Sequence, residues 1–261
     1  MQDAAGLYID LLKRCIGNYV YDDDLDLLSA RKVVDPATGG LTSLEGVTFD
    51  RDAKFYGKIW PSRAHTMIGM PRLDNLQYCV EEVIRAGVPG DLIETGVWRG
   101  GAAIFMRGIL KAHGVADRTV WVADSFEGLP RPDPIRYPKE SAFDFHKFAD
   151  LAVSLEEVRR NFERYNLLDD RVRFLKGWFR DTLPSAPIGQ LALMRLDGDM
   201  YESTMDALAN LYPKLSPGGF VIIDDYNAVE SCNAAVADFR NDHRIDAELC
   251  LIPGSGAFWK K

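Results

Sequence analysis

Four carboxylates stand in two short stretches of the C-terminal third: Asp197 and Asp199 in Leu196-Asp-Gly-Asp-Met-Tyr-Glu202, and Asp224 and Asp225 in Ile223-Asp-Asp-Tyr-Asn227. Each stretch follows a short apolar run, Ala192–Leu196 or Phe220–Ile223, that reads as a strand. If those strands are neighbours in one sheet, four like charges meet at one end. Like charges at close range hold one another protonated unless a cation neutralises them. Oxygen donors alone suit a hard ion such as Mg²⁺, which keeps waters free for a substrate. The plainer alternative is a set of solvated helix N-caps, a role in which Asp is common. One such Asp would decide nothing; four on adjacent strand ends favour the cation.

A second constellation lies upstream. Glu94-Thr-Gly-Val-Trp-Arg-Gly-Gly101 follows a strand over Leu92–Glu94 and leads into a helix over Gly101–His113. Glycines let the backbone turn sharply beside a ligand, and the helix start aims free N–H groups at it. A dinucleotide fingerprint would need a second glycine where Trp98 stands, and a tryptophan there would obstruct a pyrophosphate. The chain also has no Tyr-x-x-x-Lys pair, so a nicotinamide oxidoreductase is the alternative enzyme reading rather than the first. The next strand, Thr119–Ala123, ends in Asp124-Ser-Phe-Glu-Gly128. An acidic residue there can hold the two hydroxyls of a ribose, cap a helix, or do both. After a third strand, Val172–Leu175, come Gly177 and Trp178, which are either the edge and face of an adenine site or ordinary core.

The elements that must position these residues alternate. From Leu73 onward, helices at Leu73–Ala86, Gly101–His113, Ser154–Tyr165, Thr204–Leu211 and Val229–Arg240 separate the strands already named. Ser154-Leu-Glu-Glu157 is a capping box. The alternation predicts an α/β fold, a Rossmann-like, mostly parallel seven-stranded sheet with helices on both faces. Glu248–Ile252 and Ala257–Trp259, joined by Pro-Gly-Ser-Gly, predict an antiparallel last strand. Ligands of such sheets bind beyond the carboxyl ends of the strands, where both constellations fall. Residues 1–75 form an expected N-terminal arm or lid extension, with a helix at Leu7–Ile16, an acidic stretch at Tyr19–Leu28 and a loop at Val33–Gly46. Residues 76–261 form the main domain, with a helical lid insertion at about 132–150. Phe143, Asp144, Phe145, His146 and Phe148 in that insertion either close over a flat acceptor or simply pack on the body.

Composition narrows the partners. Lys and Arg number 31 against 39 Asp and Glu, a net charge of −8 that repels nucleic acid. Cys15, Cys79, Cys232 and Cys250 have no metal-site spacing and read as reduced thiols. The first residues, Met1-Gln-Asp-Ala-Ala5, lack the pattern of a signal peptide, and no apolar stretch is long enough to cross a membrane. A cytoplasmic protein without membrane or nucleic-acid partners is expected.

The turn Glu94-x-Gly96-x-x-x-Gly100 resembles motif I of class I methyltransferases. Together with Arg63–Asn75, Asp124-Ser-Phe-Glu-Gly-Leu-Pro130, Leu196-Asp-Gly-Asp-Met-Tyr-Glu-Ser203 and Gly218-Gly-Phe-Val-Ile-Ile-Asp-Asp-Tyr226, it resembles the macrocin O-methyltransferase family over roughly residues 50–260. The resemblance implies S-adenosylmethionine- and Mg²⁺-dependent methylation of a sugar hydroxyl on a glycosylated natural product of aminocoumarin or macrolide type, the 4-hydroxyl of a noviose sugar foremost. It implies cofactor contacts from Met67, Glu94, Gly96, Asp124, Ser125, Gly177, Trp178 and Asp197. It implies metal ligation by Asp197, Asp224 and Asp225, with Asp199 as general base. A distant likeness to catechol O-methyltransferase supports Asp197, but that family carries a lysine where this chain has Met200, so His65 and His146 stay open as bases. A homodimer through the N-terminal region is also expected.

Overall fold

The computed structural model describes residues 4–21, 32–34, 41–43, 50–140 and 145–261. Helix α1 (Ala4–Ile16) buries Ile9, Leu12 and Ile16, one stripe at helical spacing, and leaves Leu7 and Leu11 in solvent. In place of the loop expected over Val33–Gly46, strands β1 (Lys32–Val34) and β2 (Leu41–Ser43) pair antiparallel, Val33 opposite Thr42. The β-branched residues outweigh the turn residues Pro36, Gly39 and Gly40, which lie between them outside the described residues. Helix α2 (Arg51–Phe55) is capped by Asp50, whose carboxylate accepts the Asp52 N–H at 2.9 Å. Helix α3 (Gly69–Arg85) begins four residues before the predicted Leu73, because Pro71 sits in the first turn where no N–H is needed. The expected division at residue 75 falls inside this helix.

The body then alternates as the pattern predicted: β3 (Asp91–Thr95), α4 (Gly101–Ala112), β4 (Val120–Asp124), α5 (Leu155–Arg164), β5 (Val172–Lys176), α6 (Phe179–Thr182), β6 (Leu191–Leu196), α7 (Tyr201–Leu211), β7 (Leu215–Ile223), α8 (Glu230–Asp242), β8 (Cys250–Leu251) and β9 (Ala257–Lys260). The seven-stranded sheet runs β5-β4-β3-β6-β7-β9-β8. Its first five strands are parallel, and β9 lies antiparallel between β7 and β8. Chain order reverses between β3 and β6, which makes their carboxyl ends the switch point.

Period-2 alternation divides the core into two layers. Leu92, Val120, Val122 and Phe220 pack under α1, α3, α4 and α5, whereas Ile93, Trp121, Met194 and Val221 pack against α7 and α8. The Ser154 cap is present, its Oγ accepting the Glu157 N–H at 3.2 Å. Where a helical lid was expected at 132–150, the described residues form three 3-10 turns: Pro138–Glu140, Phe145–Lys147 and Ala149–Leu151. Phe145 and Phe148 are buried in the second layer, Phe148 edge-on to Trp60 at 5.5 Å. Phe143 and Asp144 lie outside the described residues.

Candidate active site

One cleft of ≈ 270 Å³ opens over the switch point. It gathers the two constellations: Met67, Glu94, Gly96, Asp124, Ser125, Trp178, Asp197, Asp199, Asp224 and Asp225 all line it. Gly177 does not. It holds the scaffold instead, at φ 139°, its N–H donating to the Asp124 carbonyl at 2.9 Å.

Gly96 is the tightest point of the glycine turn. It sits at φ 79°, and a Cβ there would lie 1.6 Å from the Asp197 carbonyl oxygen. Any side chain would drive β3 and β6 apart at the mouth of the cleft. Trp98 takes a left-handed φ of 47° and lines the cleft, its Nε1 donating to the Asp150 carbonyl of the β4–α5 insertion at 2.9 Å. Asp124 braces the same turn: its carboxylate accepts the Val97 and Phe126 N–H groups, each at 2.7 Å. The Ser125 hydroxyl donates to the same oxygen as the Phe126 N–H, at 3.4 Å. Burial raises the Asp124 pKa against those hydrogen bonds. Asp124→Ala should thus weaken S-adenosylhomocysteine binding and loosen the turn, at about 1–3 kcal/mol for each hydrogen bond lost. Calorimetry giving an unchanged affinity would remove Asp124 from the site.

The carboxylate end is organised by an arginine that the strand pattern hides. Arg195 is 1% exposed inside Leu-Ala-Leu-Met-Arg-Leu196 and stands in register opposite Glu94. Its Nη1 donates to Glu94 Oε1 at 2.6 Å and to Asp197 Oδ2 at 2.9 Å, and its Nη2 pairs with Asp224 Oδ1. Arg72 of α3 pairs with the other oxygen of Asp224. The cluster therefore holds five carboxylates, from Glu94, Asp197, Asp199, Asp224 and Asp225, against two guanidiniums. The signals for these arginines were a lone charge in an apolar strand and a basic residue within the quoted Arg63–Asn75 motif.

Ligand-capable oxygens of Asp197, Asp199 and Asp225 lie within 4.8 Å of one another. Asp224, expected among the metal ligands, instead turns both oxygens to arginines, and Asp199, expected as the base, takes its place in the converging group. Asp199 has φ 57°, a left-handed conformation that Asp tolerates better than most residues. Its N–H donates to Asp225 Oδ2 at 3.0 Å, and its carbonyl accepts Ser231 Oγ at 3.3 Å. Burial raises Glu94 to about 8, against the pull of Arg195. Burial and neighbouring carboxylates raise Asp197 to about 6 and Asp199 to about 7. Asp225 is pushed well up by burial and by Asp199. A buried excess of negative charge with one unpartnered oxygen, Glu94 Oε2, is chemistry that a divalent cation would fit.

These shifts carry a sign. Carboxylates whose folded pKa exceeds the unfolded value stabilise the fold at low pH and lose that contribution as pH rises through the folded pKa. The metal-free protein should thus lose thermal stability between about pH 5 and about pH 8. A melting temperature that stays level or rises across that window would show these groups titrating normally.

The histidines fall outside the site. The His65 ring meets the Tyr165 hydroxyl at 2.7 Å, and burial lowers its pKa to about 4. Its backbone ties the arm to the glycine turn, accepting the Gly101 N–H at 2.9 Å and donating to Ile16 at 2.7 Å. Neither His65 nor His146 lines the cleft. Met200 is 2% exposed, in the core beside the site. All four cysteines are free thiols, and no described helix is long and apolar enough to cross a membrane.

A glycine turn on the first core strand, an acid on the second and a cleft at the switch point define a class I S-adenosylmethionine-dependent methyltransferase. The chain belongs to the macrocin-O-methyltransferase (TylF) family, whose model matches residues 5–261. It is an S-adenosylmethionine-dependent O-methyltransferase. It is 54% identical, over 99% of this chain and 94% of the relative, to 8-demethyl-8-(2,3-dimethoxy-alpha-L-rhamnosyl)-tetracenomycin-C 4'-O-methyltransferase of Streptomyces olivaceus. It is 50% identical, over 98% of this chain and 94% of the relative, to demethyldecarbamoylnovobiocin O-methyltransferase of Streptomyces niveus. The solved structure of the O-methyltransferase NovP superposes with a TM-score of 0.88 at 49% identity, covering 98% of this chain and 99% of that one. These relatives are methyltransferases, which leaves the nicotinamide alternative without support.

Proposed function

We propose that this enzyme methylates a sugar hydroxyl of a glycosylated natural product in an Mg²⁺-dependent reaction, the 4-hydroxyl of noviose on an aminocoumarin being the first acceptor to test. The observation that carries the reading is the carboxylate-rich cleft beside a cofactor turn. The acceptors named for the relatives, a rhamnosyl-tetracenomycin C at its 4'-position and demethyldecarbamoylnovobiocin, favour a glycosylated substrate. S-adenosylmethionine supplies a methyl group already electrophilic on its sulfonium, and Mg²⁺ would make the coordinated hydroxyl more acidic. Met67, Glu94, Gly96, Asp124, Ser125, Trp178 and Asp197 would surround the cofactor, with Gly177 acting from behind the wall. Asp197 and Asp225 would hold the ion together with Asp224, whose arginine-bonded oxygens each keep a second lone pair. Asp199 takes the hydroxyl proton as the methyl group passes from sulfur to oxygen, leaving S-adenosylhomocysteine and the methyl ether. The convergence of Asp199 with Asp197 and Asp225 favours a second reading, in which Asp199 is the third ligand.

Trp60 of the arm and Phe145 of the insertion both line the cleft, and we assign these two segments to closure over the acceptor. Leu7 and Leu11, 58% and 56% exposed on α1, favour self-association through the N-terminal region. The deciding experiment incubates the enzyme with labelled S-adenosylmethionine and a panel of unmethylated aminocoumarin, rhamnosyl polyketide and macrolide acceptors, with Mg²⁺ or with EDTA. One methyl gained on a sugar, lost in EDTA, is the expected result. Labelling of aglycone phenols alone would sink the sugar assignment, and full activity in EDTA would sink the metal.

A further inference from the structure

The chain from Gly57 to Ile68 belongs to no strand of the sheet, yet Gly57, Trp60, Thr66, Met67 and Ile68 form one wall of the cleft. Arg72, in the first turn of α3, fastens that wall. Its side chain is 8% exposed. Nε donates to the Ile68 carbonyl at 2.6 Å, Nη2 to the Gly57 carbonyl at 3.2 Å, and Nη1 pairs with Asp224 Oδ2. Both ends of the wall and the end of β7 thus converge on one guanidinium. The fit has no slack. A Cβ on Gly57 would lie 2.3 Å from Arg72 Nη2, and one on Gly69 would lie 2.4 Å from the Gly57 nitrogen. The other oxygen of Asp224 is held by Arg195, which also holds Glu94 and Asp197, so the connection continues to the ends of β3 and β6.

We propose that Arg72 is a positioning residue that holds the 57–68 wall against the cofactor by way of Asp224. Its planar fork meets the Ile68, Gly57 and Asp224 carbonyls and the Asp224 carboxylate at fixed angles, which a lysine cannot reproduce. Cofactor retention then depends on a side chain that acts through the wall. A second consequence rests on the magnesium reading above. The charge of Arg72 opposes a dication beside Asp224, so removing it loosens the cofactor while tightening the metal. A residue needed only for folding would weaken both ligands together.

The test uses the full chain as Arg72→Met and Arg72→Lys, with S-adenosylhomocysteine and Mg²⁺ titrated separately by calorimetry and hydrogen exchange followed well below the melting temperature. Arg72→Met should raise the S-adenosylhomocysteine Kd at least about tenfold, as expected for hydrogen bonds from a charged donor. Exchange should quicken over residues 57–68 and stay as in the parent over β3, β6 and β7, with Mg²⁺ bound no less tightly. Arg72→Lys should fall between the two, and it carries both measurements if the methionine variant is insoluble. Unchanged cofactor affinity overturns the proposal, and so does faster exchange throughout the sheet with both ligands weakened. A parent enzyme that binds S-adenosylhomocysteine but no Mg²⁺ removes the metal reading alone; cofactor affinity and exchange over 57–68 then decide the role of Arg72.

Discussion

Asp199→Asn should lower kcat by about 10²–10⁴-fold, the usual contribution of a positioned general base. The substitution is nearly isosteric, and asparagine tolerates the left-handed backbone that Asp199 adopts at φ 57°. S-adenosylhomocysteine affinity should stay within about threefold of the parent, since the change removes charge and not shape. The same variant separates the two metal readings. If Asp199 is the base, Mg²⁺ still binds, and Asp224→Asn is the variant that loses it. If Asp199 is the third ligand, its own variant loses the ion and Asp224→Asn keeps it. A kcat within a factor of a few of the parent would remove Asp199 from both roles.

The largest effect on stability should come from Arg195→Met. The side chains have similar volume, so packing is nearly retained, but Glu94, Asp197 and Asp224 all lose a charged partner at once. Removing one side of a buried ion pair typically costs about 3–5 kcal/mol. The loss should be greatest near neutral pH and shrink on acidification, because protonation of Asp197, which burial raises to about 6, removes uncompensated charge. Urea denaturation at two pH values measures both. Parent-like stability at neutral pH would mean that the carboxylates are already neutral in the parent and that Arg195 balances little.

The strand ends were legible because parallel strands covered on both faces are short apolar runs, and the chemistry sits at or just past the end of each: Glu94 and Asp124 in the last two residues of β3 and β4, Asp197 and Asp224 one residue beyond β6 and β7. The glycine turn was legible because Gly96 admits no side chain against the Asp197 carbonyl. Arg72 and Arg195 were not assigned roles because a buried cation contributes nothing to apolar periodicity, and its partners are distant in sequence: Glu94 is 101 positions from Arg195, and Asp224 is 152 from Arg72. The same contacts decide which way Asp224 points, so its residue type alone spoke only for a metal. The β1–β2 ladder was hidden because three-residue strands are too short for alternation to register.

The two borders of the sheet have a bearing on how copies of the chain meet. On one side the outermost strand, β8, is two residues long, Cys250 and Leu251. On the other, β5 sets Arg173 and Lys176 in solvent. A strand arriving from a second molecule would gain a pair of rungs at the first border and would meet fixed positive charge at the second. Short or charged borders of this kind discourage runaway strand addition. Among the described residues, neither border therefore offers a second copy a long, uncharged edge on which to add strands.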